Sequence, residues 1–99
     1  MSEAKLKVER LSVLIDGYVQ GVGFRYFVLN RAAEIGVTGW VRNRISGQVE
    51  VVAEGNRDQL EKLLGQLRVG PRSAQVENIE VNWGQATGEF HSFNVRMDG

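Results

Sequence analysis

The segment Gly17-Tyr18-Val19-Gln20-Gly21-Val22-Gly23-Phe24-Arg25 sets three glycines close to an arginine. Gly21 and Gly23 permit the torsions that turn successive backbone N–H groups to one side, forming a concavity for an anion. Arg25 adds a planar fork of donors that matches phosphate oxygens and stays charged at any working pH. The segment lies between a strand pattern and a helix pattern, so its amides converge on the positive end of the helix. That helix starts without a Ser, Thr, Asp or Asn to accept its first N–H groups, which leaves them free for a ligand. Two familiar phosphate loops do not fit. There is no Lys-Ser or Lys-Thr for a P-loop, and Tyr26 stands where a dinucleotide fingerprint needs its third glycine. Taken alone, the loop also reads as a tight turn beside a solvated Arg25.

A second segment, Gly39-Trp40-Val41-Arg42-Asn43-Arg44-Ile45-Ser46-Gly47, places Asn43 late in a strand pattern, where asparagine is depleted. A neutral amide has both a donor and an acceptor and can aim a water by two contacts. The same residue also suits the approach to a turn. Arg42 and Arg44 alternate away from Asn43, so solvated positions are expected for them. His91 reads as a loop or strand-edge residue, Asp16 as a solvent-facing strand end, and Trp40 and Trp83 as core or sheet-face residues.

The remaining chain narrows the chemistry. It has no cysteine and a single histidine, which removes thiolate nucleophiles and the usual multi-histidine metal sites. Twelve basic residues balance twelve acidic ones, which disfavours nucleic acid as the main partner. An RNA-binding module of similar plan needs aromatics on its central strands, and Gln48 to Glu54 has none. Met1 to Arg10 is charged without an apolar run, and no stretch approaches the roughly 20 apolar residues of a membrane span. A soluble cytoplasmic protein without metal or cofactor is the expectation.

The elements that hold these residues follow from periodicity. The first ten residues read as a frayed lead-in. Leu11, Val13 and Ile15 alternate as a strand, and Gly17 to Gly23 reads as a loop. Phe24, Phe27, Val28, Ala32 and Ile35 trace a helix face closed by Gly36. Val37 to Arg44 and Gln48 to Glu54 form a hairpin through Ile45-Ser46-Gly47. Asn56 and Gln59 form a capping box for a second helix carrying Leu60, Leu63, Leu64 and Leu67, ended by Gly70-Pro71. Val76 to Trp83 is a further strand, and Phe93, Val95 and Met97 alternate in a last one. This order is the α+β, ferredoxin-like βαββαβ plan: an antiparallel sheet with two helices on one face. The expectation is one domain over residues 1–99, with its core from about Val8 to Met97.

Together the two segments resemble the acylphosphatase family, whose signatures are V-Q-G-V-x-F-R after the first strand and G-W-V-x-N ending the second. They stand here as Val19-Gln20-Gly21-Val22-Gly23-Phe24-Arg25 and Gly39-Trp40-Val41-Arg42-Asn43. The resemblance runs from about Val8 to Met97 and includes Ile35-Gly36-Val37. It implies that Arg25 binds phosphate, that Asn43 positions the nucleophilic water, and that the loop Tyr18, Val19, Gln20, Gly21, Val22 and Gly23 supplies backbone donors. It implies a small-molecule acyl phosphate as substrate and inorganic phosphate as product or inhibitor, with no nucleic acid or membrane partner and a monomeric state. Ser46 departs from the aspartate the family often has before the hairpin glycine; an effect on local stability and none on activity is expected. A non-catalytic anion sensor is the alternative, since it needs the loop and Arg25 but not Asn43.

Overall fold

In the computed structural model, which describes residues 7–99, the alternating Leu11, Val13 and Ile15 form the middle of β1, Val8–Tyr18. The elements that follow are α1 (Phe24–Ile35), β2 (Thr38–Asn43), β3 (Val49–Asn56), α2 (Arg57–Val69), β4 (Gln75–Gln85) and β5 (Phe93–Val95). The strands form one sheet in the order β4-β1-β3-β2-β5. The fold is the ferredoxin-like α+β plan, with both helices packed on one face.

Register explains why the helices choose that face. Val81, Val13, Val51, Val41 and Val95 stand opposite one another in a single row, one from each strand. β-Branched side chains suit a pleated surface packed on one side. This row and its neighbours join Phe24, Val28 and Ala32 of α1 and Leu60, Leu63, Leu64 and Leu67 of α2 in one core. α2 starts in the expected capping box: Asn56 Oδ1 accepts from Gln59 N–H, and Gln59 Oε1 accepts from Asn56 N–H, both at 2.9 Å. Gln59 Nε2 also donates to the Ile35 carbonyl at 3.3 Å, tying the start of α2 to the end of α1.

Four expectations need correction. β1 begins at Val8, not Leu11, because residues 8–10 pair with Asn56, Gly55 and Glu54 on β3. Backbone pairing there continues past the apolar alternation, and residues 1–6 of the expected lead-in lie outside the described residues. β1 also runs on to Tyr18, which pairs with Gln75 after an irregularity at Asp16/Gly17, so the loop proper is Val19 to Gly23. In addition, the sheet is mixed. β5 pairs with β2 in parallel, since β4 and β5 lie on opposite edges, and the link between them crosses the face away from the helices. β5 stops at Val95, and Met97 is 89% exposed instead of continuing the strand.

Candidate active site

The Val19–Gly23 loop is held at both ends by the core: Val19 is fully buried and Phe24 is 2% exposed. Between them φ changes sign at each residue. It is 73° at Gly21 and 79° at Gly23, and negative at Gln20 and Val22, since no described residue other than glycine has a positive value. Such alternation turns successive N–H groups to the same side. A Cβ at either glycine would meet nothing within 4 Å, so torsion and not space calls for glycine. Gly23 is the N-cap of α1 and no side chain caps it. The first helical bond runs from Phe27 N–H to the Gly23 carbonyl at 3.0 Å, so the N–H groups of Phe24, Arg25 and Tyr26 lie ahead of it.

Arg25 occupies the first turn of α1, with Nη1 3.4 Å from Asp98 Oδ1. Asn43 ends β2 in a row with Val49, Ile15 and Ile79, so its side chain faces the helix layer. It is 7% exposed, and its Oδ1 is a buried atom with no hydrogen-bond partner among the described residues. The Asn43 backbone carbonyl accepts from Gly99 N–H at 3.0 Å, and Ile45 N–H donates to the Gly99 carbonyl at 2.8 Å. Two consecutive residues, Asp98 and Gly99, thus touch Arg25 and Asn43, which brings the two sequence segments to one place. Gln20 Nε2 joins loop and hairpin a second time, donating at 2.8 Å to the carbonyls of Arg44 and Gln48.

Arg42 and Arg44 turn to the opposite face, as alternation predicts, but they are paired there and not simply solvated. Both donate to Glu50 Oε1, at 2.8 and 3.0 Å. Burial pushes the Glu50 carboxyl up, yet the two guanidinium bonds outweigh it and hold the carboxyl below its ordinary 4.5. Trp40 lies on this face too, with the Arg96 and Arg42 guanidinium carbons 4.5 and 5.2 Å from its ring centre. Trp83, on the helix face, has Arg57 3.6 Å from its ring centre. Asp16 is half-buried at the bulge of β1, and His91 is exposed in the segment before β5. A groove of about 430 Å³ lined by Arg31, Glu34, Ile35, Lys62 and Gln66 involves neither loop nor hairpin. Among the described residues no group of three or more His, Asp or Glu is placed to hold a metal, and no helix is long and apolar enough to cross a membrane.

Asp98, Gly99 and the side chain of Gln20 escaped the sequence reading. Asp98 lies 73 positions from Arg25, and no local pattern spans that distance. Gln20 does leave a signal: it is an amide side chain in a glycine loop whose anion cradle uses only backbone.

By sheet order and helix placement this is a ferredoxin-like domain with a glycine-bearing loop at the uncapped head of its first helix. The acylphosphatase family model matches residues 11–95. The chain is 49% identical over 88 residues to an acylphosphatase of Salinibacter ruber, covering 89% of this chain and 93% of that one. It is likewise 49% identical over 86 residues to an acylphosphatase of Thermus thermophilus, covering 85% and 98%. Among solved structures, the acylphosphatase of Bacillus subtilis superposes with a TM-score of 0.86 at 35% identity, over 89% of this chain and 98% of that one. The chain belongs to the acylphosphatase family of enzymes.

Proposed function

We propose that this enzyme hydrolyses small acyl phosphates to a carboxylate and inorganic phosphate, with Arg25 and the Val19–Gly23 amides binding the phosphoryl group and Asn43 positioning the water. The observation that carries the reading is Asn43 itself. A polar amide in an apolar row, with an unpartnered oxygen, faces the layer whose first turn bears Arg25. An amide so placed is poorly suited to stability and well suited to holding a donor that comes with the substrate.

The water oxygen forms the new bond to phosphorus as the bond from phosphorus to the acyl oxygen breaks, and that electron pair leaves on the carboxylate. A carboxylate whose acid has a pKa of about 4 departs without protonation, so no general acid is required. The water proton passes to a phosphoryl oxygen of the substrate. Arg25 and the loop amides offset charge on the equatorial oxygens, where preorganised donors act most strongly. Asn43 supplies alignment, which is entropic work. An alkoxide is a far poorer leaving group, so phosphate monoesters should react badly.

The test is hydrolysis of benzoyl phosphate in EDTA beside a monoester control, with inorganic phosphate as inhibitor. Arg25→Ala should lose both phosphate binding and turnover. Asn43→Ala should lose turnover by about 10²–10³ while still binding phosphate, as for removal of one preorganised contact. Wild-type turnover in Asn43→Ala would remove the water-positioning role. Activity abolished by EDTA would remove the metal-free mechanism.

A further inference from the structure

The two hydrogen bonds that tie the phosphate loop to the hairpin come from one nitrogen. Gln20 Nε2 donates to Arg44 O and Gln48 O, 2.8 Å in each case. These carbonyls belong to the rung that closes the β2–β3 hairpin. Arg44 N–H donates to Gln48 O at 2.8 Å, and Gly47 N–H donates to Arg44 O at 3.0 Å. Each carbonyl therefore serves one donor from the turn and one from the loop, which uses both lone pairs. Among the described residues no other side-chain hydrogen bond joins Val19–Gly23 to the hairpin. Gln20 directly precedes Gly21, and Arg44 directly follows Asn43.

We propose that Gln20 is a positioning residue whose side-chain amide fixes the separation between the phosphate cradle and Asn43; this rests on the roles given above to the loop and to Asn43. Displacement at phosphorus needs the water in line with the departing oxygen, and a misplacement of about 1 Å costs on the order of a hundredfold in rate. The anion is held by loop amides and Arg25, which move with the loop. The water is held from the hairpin. A link between the two affects their mutual alignment far more than it affects anion binding, so its loss separates turnover from affinity.

Gln20→Met keeps length and bulk and removes both donors. With benzoyl phosphate, kcat should fall about ten- to a hundredfold, while the inhibition constant of inorganic phosphate stays within about threefold, its donors being intact. Unchanged kcat, or equal losses of kcat and phosphate binding, overturns the proposal. Gln20→Glu places a carboxylate against two carbonyls. Its kcat relative to wild type should recover as pH falls through the carboxyl's titration, and a flat ratio overturns the proposal even if Gln20→Met does not fold. Adding Gln20→Met to Asn43→Ala should cost nothing further, because there is then no held water to align. Additive losses remove the tether alone, whereas wild-type turnover in single Asn43→Ala removes the water-holding role beneath it.

Discussion

Asn43 puts an amide where Ile15, Val49 and Ile79 supply the rest of the row. A buried acceptor left without a donor costs about 1–3 kcal/mol, so an Asn43 Oδ1 that meets its donor only with substrate bound adds nothing to the stability of the free fold. Asn43→Ala is therefore expected to match or exceed wild-type stability in urea unfolding while losing turnover, a separation that a purely structural asparagine would not give. Asp98 poses a different question at the same scale. Its carboxylate lies 3.4 Å from Arg25 Nη1 with both side chains substantially exposed. On the proposed reading it competes with a phosphate for the same guanidinium. Exposed pairs are worth about 0–1 kcal/mol, so Asp98→Asn should tighten phosphate inhibition by no more than about fivefold. The gain should shrink in high salt, which screens such pairs. Weaker phosphate binding in Asp98→Asn would mean instead that Asp98 holds Arg25 in place.

The elements show why some of this was legible in advance. α1 and α2 are local objects: the apolar face from Phe24 to Ile35, the Asn56/Gln59 box and the four leucines are all set by spacing within one helix. The two motifs that carry the family resemblance were legible for the same reason, each being a contiguous run. What escaped depended on partners far away in sequence. Val8 to Arg10 are strand because β3 pairs with them, although their side chains do not alternate. β5 is short and parallel because of where its chain arrives, and Met97, which continues its alternation, faces solvent. The contacts of Gln20 with the hairpin and of Asp98 with Arg25 are of this second kind. The local character of α2 yields its own test. Asn56→Ala removes one half of the capping box and should cost about 1 kcal/mol in unfolding free energy. Asn56 lies at the far end of β3 from the hairpin turn and outside the loop, so kcat should not change.

Across the whole molecule, the two ends of the sheet do different work. Asn43, Val49 and Ile15 lie toward one end, and Glu54, Arg10 and Thr38 toward the other. At that second end Glu54, only 3% exposed, fastens the link between the two edge strands. Its carboxylate accepts from Thr87 N–H at 2.9 Å, Gly88 N–H at 3.0 Å and Arg10 Nε at 2.8 Å. Burial raises the Glu54 carboxyl pKa, but the Thr87, Arg10 and Gly88 donors outweigh it and hold it below the ordinary 4.5. A carboxyl depressed in the folded state binds protons more readily once unfolded. Its stabilisation is full above the unfolded value and fades as pH falls through the lower folded one. Glu54→Gln keeps one acceptor but turns an NH₂ toward groups that donate. It should lose about 1–3 kcal/mol at neutral pH, and lose less than wild type between about pH 6 and about pH 3, because the titrating group is gone. Unfolding curves across that range check both parts. An acid loss equal to wild type would assign the dependence instead to the other lowered carboxyls, Glu50 beside its two arginines and Glu89 beside Arg10. Because Glu54 is remote from the loop and the hairpin turn, benzoyl phosphate turnover at neutral pH should be unchanged, so the clamp on the link and the site at the far end of the sheet can be weakened one at a time.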